Sequence, residues 1–434
     1  MIPIPEIETK NSEEIKVFQE QLLRKQLIYL QKHSPYYSKL FSNKGIDIQQ
    51  INSIEDLNQI PVTTKNDLQK YNDEFLCIPR EKIADYVTTS GTSGDPVLIA
   101  LSDNDLERLA YNEELSYQCA GLNKKSIIQL TTTIDRRFMA GLAYFLGARK
   151  AGIGVVRVGS GVPELQWDTL QKIKPDTLIC VPSFLLKMIE FAENAGIDYL
   201  NSSVKKAICI GEPLRNQDFS DNILASKIKS KWPVELYSTY ASTEMATAFT
   251  ECGSGKGGHH HPELIICEFL DENNQPVQKE KPGELTITTL GVEAMPLLRY
   301  KTGDIVQPYF EECSCGRKTM RLGPLVGRKQ QMIKYKGTSL YPPSLLDLLN
   351  DFEEVKHHVI EVFSNETGED EIQVKAFSTD ESDEILNKIK DRFRAKIRVS
   401  PKIIFVSETE ILKVKFPENS RKSVTFVDNR NSKP

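Results

Sequence analysis

Short apolar runs alternate with helix-patterned segments in the middle of the chain, between about residues 126 and 240. The runs SIIQL, GVVRVG, TLICV and KAICIG are each five or six residues long. In the first segment between them, Phe138, Leu142 and Phe145 fall near one helical face, and Gly152 closes the helix. This alternation predicts βαβ units, and therefore a parallel sheet that is covered by helices on both faces.

The regions on either side have different patterns. Apolar residues recur at helical spacing from Ser12 to about Leu40, which predicts one opening helix. After Glu263, the segments LIICEFLDE and GELTITTL lie between Pro and Gly residues, which is typical of a β-rich subdomain. From Gly327 onward, the strand patterns HHVIEVFS and EIQVKAFS flank the turn-rich NETGED, and a helix and a further strand follow.

These patterns together predict an α/β protein of two domains. The large N-terminal domain, residues 1–327, would contain the βαβ parallel sheet and the β-rich subdomain. Residues 328–434 would form a small C-terminal α+β domain, whose length of about a hundred residues suits independent folding.

Composition narrows the class of function. The 434 residues include 55 Lys and Arg against 60 Asp and Glu, a net charge of -5, which argues against a dedicated nucleic-acid binder. The N-terminal sequence lacks a basic region followed by an apolar run, and Pro182 interrupts the longest apolar stretch, so we expect a cytoplasmic protein without a membrane span. Eight cysteines are too few for a disulfide framework and are expected to be free thiols or metal ligands.

The sharpest local motif is 86-YVTTSGTSGDPVLIALS-102. Its two glycines permit positive φ angles and close approach of the backbone, so that N–H groups and hydroxyls can converge on a phosphate. The motif lacks the Gly-Lys-Ser/Thr ending of a Walker A loop. Considered alone, a polar hairpin turn is the less favoured alternative.

Two later segments offer complementary chemistry. The segment 237-YSTYASTE-244 joins an aromatic ring, hydroxyls and a carboxylate, which suit base stacking, phosphate contact and Mg²⁺ binding. The segment 298-LRYKTGD-304 places Asp304 after a glycine turn, where it could accept hydrogen bonds from both ribose hydroxyls. Alone, the first is also typical of a capped strand end and the second of a common turn.

A second group of residues has metal-ligand spacing. Cys252 precedes a histidine run, and a Cys-x-Cys-Gly turn supplies Cys313 and Cys315. Three thiolates and one imidazole make a tetrahedral zinc set without an open position, so the predicted zinc is structural. On a strand, His259 and His261 share a face, and either could be the fourth ligand, with His259 preferred. The alternative is a set of unligated thiols beside a surface histidine run.

Taken in order, these segments resemble the adenylate-forming superfamily of acyl-CoA synthetases, and specifically its phenylacetate-CoA ligase-like branch. The resemblance includes TTSGTSGDP, YASTE and LLRYKTGD, together with 210-IGEPL-214, where the family has an adenine-contacting turn. It also includes 327-GRKQQMIKYKG-337, where the family has its interdomain hinge, and a final lysine in RKSVTFVD. The matches extend from about residue 80 to residue 428.

The resemblance implies a role for each matching residue. Lys422, Thr243 and Glu244 would be catalytic: Lys422 would bridge the acid carboxylate and the α-phosphate, Thr243 would touch that phosphate, and Glu244 would hold Mg²⁺. Lys413 and Lys415 are alternatives to Lys422. The residues expected to bind ATP or AMP are Thr89, Ser90, Gly91, Thr92, Ser93, Gly94, Gly211, Glu212, Pro213, Tyr240, Ala241, Ser242, Asp304 and Arg328.

The resemblance also implies what each domain does: residues 1–327 would bind ATP and the acid as the adenylation domain, and residues 328–434 would be a mobile lid. It further implies where the other substrates bind. Phe138, Gly141 and Phe184 would border the acid. The residues expected at the hinge and the CoA channel are Lys329, Gln330, Lys334 and Gly337. The chain departs from the usual pattern at four positions, which are Asp95, Ala241, Gln330 and Arg421.

We therefore predict an ATP-dependent acid–thiol ligase that activates an aromatic, phenylacetate-like acid as an acyl-adenylate and transfers it to CoA. ATP, Mg²⁺ and CoA are the implied cofactors, and no nucleic acid or membrane partner is expected. An amine or a carrier-protein thiol could replace CoA as acceptor, and the four departures also permit a nucleotide-binding protein without ligase activity. The identity of the acid stays open, as does the oligomeric state, with a homodimer as one option.

Overall fold

The fold is described from a computed structural model of the chain, which divides into two compact units, Met1–Leu325 and Val326–Pro434. The residues that the structure describes are 2–89, 96–335, 338–365, 369–417 and 423–430.

The first unit contains both helices and strands along its whole length. Its helices are α1 Ser12–His33, α2 Pro35–Lys44, α3 Lys65–Lys70, α4 Asp103–Cys119, α5 Met139–Ala151, α6 Pro163–Ile173, α7 Pro182–Ala195 and α8 Ile223–Lys231. Its strands are β1 Ile83–Thr88, β2 Leu98–Ser102, β3 Ile127–Leu130, β4 Gly154–Arg157, β5 Thr177–Cys180, β6 Lys206–Ile210, β7 Glu235–Ser242, β8 Thr247–Thr250, β9 Gly258–His259, β10 Ile265–Leu270, β11 Gly283–Thr289, β12 Tyr300–Val306, β13 Pro308–Tyr309 and β14 Arg321–Leu322.

The opening helix predicted from Ser12 to about Leu40 is wrong in one respect, because the structure has two helices there. Helix α1 ends at His33, and Pro35 is the first residue of α2. Proline has no N–H to donate and restricts the residue before it, so it suits the start of a helix better than its interior. Ser34 caps α2 by accepting a hydrogen bond from the Tyr37 N–H.

The predicted βαβ region forms a six-stranded sheet in the order β4-β3-β5-β6-β7-β8. The pairs from β4 to β7 are parallel and β8 is antiparallel, which confirms the predicted parallel sheet. All four residues of β5, Thr177–Cys180, are buried, as a strand covered on both faces requires.

The β-rich part of the unit forms smaller antiparallel sheets. Strands β10, β11 and β12 pair in that order, β14 pairs with both β13 and β9, and β1 pairs with β2. Helices α1 and α2 contribute Leu23, Leu27 and Phe41 to the same apolar core as Ile287 of β11 and Leu298.

Buried Arg108 of α4 connects these parts of the first unit through hydrogen bonds. Its guanidinium donates hydrogen bonds to the carbonyls of Leu290, Ala246 and Leu264 and to the Thr247 hydroxyl. The side chain is buried, and this desolvation lowers the pKa of Arg108 to about 10. Backbone acceptors from three loops therefore depend on one buried cation.

The second unit is a separate α+β fold. Its four-stranded sheet has the order β20-β19-β18-β21, and Ile360, Val374 and Phe393 lie in its apolar core. The strand patterns predicted around NETGED correspond to β18 and β19. The elements are β15 Gly327–Arg328, β16 Ile333–Tyr335, β17 Thr338–Leu340, α9 Pro342–Asn350, β18 Val355–Ser364, β19 Asp370–Ser378, α10 Asp383–Ile397, β20 Lys402–Phe405, α11 Glu408–Lys415 and β21 Phe426–Asp428.

Within the described ranges, every helix is either too short or too polar to cross a membrane.

We expect Arg108→Met to destabilise the first unit by about 3 kcal/mol or more, because buried carbonyls would lose a charged donor. Calorimetric melting of the variant and the wild type checks this. Arg24→Met is the matched control, since Arg24 makes an exposed hydrogen bond to the Asn52 carbonyl and should melt like the wild type. Equal melting temperatures for Arg108→Met and the wild type would contradict the bridging role of Arg108.

Candidate active site

The six-stranded sheet has a topological switch point between β3 and β5. From β3 the chain adds β4 on one side, and it then adds β5, β6 and β7 on the other. In open α/β sheets, ligands bind in the crevice outside the carboxyl ends of the strands at such a point. Here the crevice begins at Thr131, whose N–H and hydroxyl both donate to the Ile179 carbonyl at 3.0 and 2.9 Å.

The residues predicted to border the acid follow the two strands of the switch point. Phe138 precedes α5 on the β3 side and Phe184 lies in the first turn of α7 on the β5 side, and both are partly buried. At Gly141, an added Cβ would lie 1.9 Å from the Thr133 carbonyl oxygen, so the helix can approach this loop only with glycine there. The acid-binding role of these residues stays a prediction.

The turn predicted to contact adenine follows β6. Gly211 has a φ angle of 80°, in the left-handed region that favours glycine, and the chain reverses there. The Glu212 carboxylate accepts hydrogen bonds from the Ser183 N–H and hydroxyl at the start of α7. The predicted turn therefore lies at the carboxyl edge of the sheet, next to the switch point.

Tyr240 and Asp304, which are 64 residues apart, meet at this edge. The Tyr240 hydroxyl on β7 donates to Asp304 Oδ2 on β12 at 2.7 Å. The Asp304 N–H donates to the Thr302 hydroxyl at 3.1 Å, and Gly303 between them has a φ angle of 79°. The parallel sheet and the β10–β12 sheet thus place a ring and a carboxylate side by side.

Glu244 lies in the turn after β7. The Ser242 hydroxyl accepts a hydrogen bond from the Met245 N–H, and Ala246 has a φ angle of 46°, so the turn is tight. Burial raises the pKa of the Glu244 carboxyl, and the Asp304 charge acts in the same direction. Burial, and then the charge of Glu244, raises the pKa of the neighbouring Tyr300 hydroxyl. Two carboxylates in a partly buried site make a donor set that suits a hard divalent cation.

Lys65 is a residue of this cluster that the sequence analysis missed. Its positive charge lowers the pKa of Glu244, in opposition to the effect of burial. Two residues earlier, Thr63 connects to the start of β12 through two backbone hydrogen bonds, to the Arg299 carbonyl and from the Lys301 N–H, each 2.9 Å long. Thr64 then caps α3, which makes Lys65 its first residue. A lysine at the N-terminus of a helix interacts unfavourably with the helix dipole, and this unusual placement is the sequence signal that could have identified Lys65.

Most of the predicted phosphate loop, Ser90 to Asp95, lies outside the described residues. The stem of the loop is described: the Thr89 N–H donates to the Val97 carbonyl, and the Thr89 hydroxyl accepts from the Val97 N–H, both at 3.0 Å. The Thr88 N–H donates to the Arg137 carbonyl, so the stem of the loop lies beside the segment that follows β3.

The predicted residues of the second unit are described in part. Arg328 lies in β15, Lys329 and Gln330 form a short 3-10 turn, and Lys334 of β16 is exposed with its N–H donating to Asp370 at 2.7 Å. Lys413 and Lys415 lie in the last turn of α11. Gly337, Arg421 and Lys422 lie outside the described residues.

The predicted zinc ligands come together in the first unit. One ligand atom from each of Cys252, His259, Cys313 and Cys315 lies within 4.8 Å of the others. The Cys252 and Cys313 sulfurs are 3.5 Å apart, and Cys315 Sγ lies 3.5 Å from His259 Nε2. Ligands placed 2.0 to 2.3 Å from a tetrahedral zinc would be separated by about 3.5 to 3.8 Å, so the spacing fits the ion.

His261 has a different partner. Its Nδ1 lies 2.5 Å from Glu8 Oε1, and both residues are buried. Arg317 donates through Nε to the other oxygen of Glu8 and through Nη1 to Cys315 Sγ at 3.5 Å. The structure therefore groups His259, and not its alternate His261, with the three cysteines.

The chain is similar to known proteins over most of its length. The family described as AMP-binding enzyme matches residues 25–294. A phenylacetate-coenzyme A ligase of Thermus thermophilus is 30% identical over 376 residues, which are 86% of this chain and 83% of that protein. The phenylacetate-coenzyme A ligase of Escherichia coli is 24% identical, over 98% of this chain and 97% of that protein.

A solved structure shares the fold. The crystal structure of 2-hydroxyisobutyryl-CoA ligase in the postadenylation state, in complex with R3-HIB-AMP, has a TM-score of 0.85 against this chain at 21% sequence identity. The match covers 98% of this chain and 92% of that chain.

Proposed function

Because this chain belongs to the AMP-binding enzyme family, in its phenylacetate-CoA ligase-like branch, we propose that it is an ATP-dependent ligase that joins an aromatic, phenylacetate-like carboxylic acid to CoA. The observation that carries the proposal is the meeting of Tyr240, Asp304 and Glu244 at the carboxyl edge of the parallel sheet, two strands from β5.

The reaction has two steps. An oxygen of the acid attacks the α-phosphorus of ATP, the bond to the β-phosphate breaks, and an acyl-adenylate and pyrophosphate form. The sulfur of CoA then attacks the acyl carbon, the thiol proton is lost to solvent, and AMP leaves. Both steps depend on orientation, since the reacting atoms must be held at near-contact distance.

The described residues suit the nucleotide. The Tyr240 ring would stack on adenine, beside the turn that Gly211 forms. Asp304 would accept hydrogen bonds from the ribose, and its bond from the Tyr240 hydroxyl holds its carboxylate in place. Thr243 would contact the α-phosphate. When bound, Mg²⁺ supplies positive charge to the phosphate oxygens, and Glu244 would hold it.

The aromatic nature of the acid is supported by the rings on either side of the switch point. Phe138 follows β3 and Phe184 follows β5, so an acid that bound in the crevice would lie between the two segments that carry these phenyl rings.

The second unit would supply the remaining groups. We propose that Lys422 stabilises the charge that develops at the α-phosphate, and that Lys329 and Gln330 are the hinge about which this unit moves to admit CoA. These roles come from the family resemblance of residues 327–337 and 421–428.

The experiment that tests the proposal is ATP–pyrophosphate exchange with a panel of aryl and alkyl acids, followed by mass spectrometry after CoA is added. We expect exchange to be strongest with arylacetic acids and a CoA thioester to form. Exchange with alkyl acids alone would contradict the aromatic substrate. An adenylate that reacts with amines or a carrier protein but not with CoA would contradict the acceptor, and ATP binding without exchange would contradict the ligase.

A second prediction concerns Glu244. Because burial raises the pKa of this carboxyl, its metal-binding anionic form is lost on acidification at a higher pH than for an exposed glutamate. We expect the magnesium concentration for half-maximal exchange to rise as the pH falls toward this pKa, and Glu244→Gln to raise it at every pH. Lys65→Met should shift this rise in the magnesium requirement to a higher pH than in the wild type, since Lys65 lowers the pKa of Glu244.

The control for Glu244 is Glu263→Gln, which alters another carboxyl whose pKa burial raises, on a residue that bonds Tyr111. It should leave the magnesium profile unchanged. A Glu244→Gln enzyme with the magnesium profile of the wild type would remove the proposed role of Glu244.

We also propose that Cys252, His259, Cys313 and Cys315 bind a structural zinc ion. Support comes from the ligand spacing and from Arg317, which contacts Cys315 as an outer neighbour of a metal ligand commonly does. Three cysteines and one histidine fill a tetrahedral shell, so the ion would join the loop after β8 to the turn before β14.

The zinc proposal predicts one zinc atom per chain after purification without chelators, measured by plasma mass spectrometry. Cys313→Ser should lose most of the metal and melt at a lower temperature, because metal binding stabilises the folded site. Cys267→Ser, at a cysteine outside the cluster, should keep its zinc. Zinc well below one atom per chain in the wild type would overturn the proposal.

A further inference from the structure

Helix α7 begins at the switch point with residues that cannot cap it. Val181 precedes the helix with an apolar side chain, and Pro182 is its first residue. The first N–H groups of a helix need acceptors from outside it, and Ser, Thr, Asp or Asn at the preceding position commonly supply one. The Ser183 N–H therefore needs an acceptor from elsewhere in the protein.

Glu212 supplies this acceptor from a turn 29 residues later. Its Oε2 accepts from the Ser183 N–H at 2.8 Å, and its Oε1 accepts from the Ser183 hydroxyl at 2.9 Å. Negative charge at a helix N-terminus also interacts favourably with the helix dipole. Each oxygen of the carboxylate thus accepts a hydrogen bond from the acid side of the crevice, whereas the family resemblance places Glu212 against adenine.

The two bonds connect neighbouring parts of the site. Strands β5 and β6 are paired in parallel with Cys180 opposite Cys209, so the segments that follow them leave the sheet at the same edge. One segment carries Ser183 and Phe184, and the other carries the Gly211 turn. Any shift of Glu212 is therefore transmitted to the residue next to Phe184.

We propose that Glu212 is a positioning residue for the acid: it fixes the first turn of α7, and through it Phe184, relative to the nucleotide-side turn. This inference rests on the proposed function, because it assigns the acid to the crevice between β3 and β5. It predicts that Glu212 governs the KM of the acid more than the KM of ATP.

Exchange kinetics test this with Glu212→Ala, Glu212→Gln, Ser183→Ala and the double variant Glu212→Ala with Ser183→Ala. Glu212→Ala should raise the KM of the acid about tenfold or more, the effect of losing charge-assisted hydrogen bonds, with less than about a twofold change for ATP. Glu212→Gln keeps an acceptor for the Ser183 N–H and should restore most of the acid affinity.

Ser183→Ala should have a smaller effect in the wild type and almost none in the Glu212→Ala background, because it removes a bond that this variant has already lost. Glu193→Ala is the control, since Glu193 lies on the same helix and pairs with Lys231 at an exposed site. A Glu212→Ala enzyme with a raised KM for ATP and an unchanged KM for the acid would overturn the proposal in favour of adenine contact.

A second measurement separates this proposal from the proposed function. Hydrogen–deuterium exchange should be faster in Glu212→Ala at the amides of Ser183 and Phe184 and unchanged in Glu193→Ala, whether or not any acid is a substrate. Unchanged exchange at these amides would overturn the positioning role. If the wild type activates no acid, the proposed function fails, and the amide exchange still decides whether Glu212 holds α7.

Discussion

The hydrogen bond from the Tyr240 hydroxyl to Asp304 is the interaction on which the site depends. It joins the end of β7 in the parallel sheet to β12 in the antiparallel sheet, and so brings the two halves of the proposed nucleotide site together within one unit. Buried Arg108 also stabilises this junction, because its guanidinium donates a hydrogen bond to the Ala246 carbonyl in the turn that carries Glu244. A single edge of the sheet can therefore present a ring and two carboxylates to one ligand.

Opposing effects act on the pKa of Glu244 at this edge of the sheet. Burial and the Asp304 charge favour a neutral Glu244, whereas Lys65 favours the anion. A partly buried carboxylate of this kind gains more from a bound divalent cation than an exposed one, since the cation replaces lost solvation. The lysine reaches the site only because Thr63 pairs with Tyr300, so the N-terminal segment is part of the site's charge balance.

The sequence predicts those features of the structure that depend on the local pattern of residues. The period of the apolar residues identifies the parallel sheet, and the Cys-x-Cys-Gly spacing anticipates the metal-ligand cluster. Contacts between residues that are distant in the sequence leave no local pattern. Arg108 donates hydrogen bonds to loops more than a hundred residues away. Glu212 accepts a hydrogen bond at the start of a helix that begins 30 residues earlier, after the neighbouring strand β5. The prediction of a single opening helix was wrong because the pattern of apolar residues continues through Pro35, whereas the helical hydrogen bonding of the backbone does not.

A crystal structure of the protein with AMP and magnesium would show whether the nucleotide binds at this edge of the sheet. We expect adenosine at the carboxyl edge of the parallel sheet, with its base against Tyr240, its ribose hydroxyls on Asp304 and its phosphate toward Thr243. AMP bound away from this edge, or a ribose that does not contact Asp304, would contradict the proposed site.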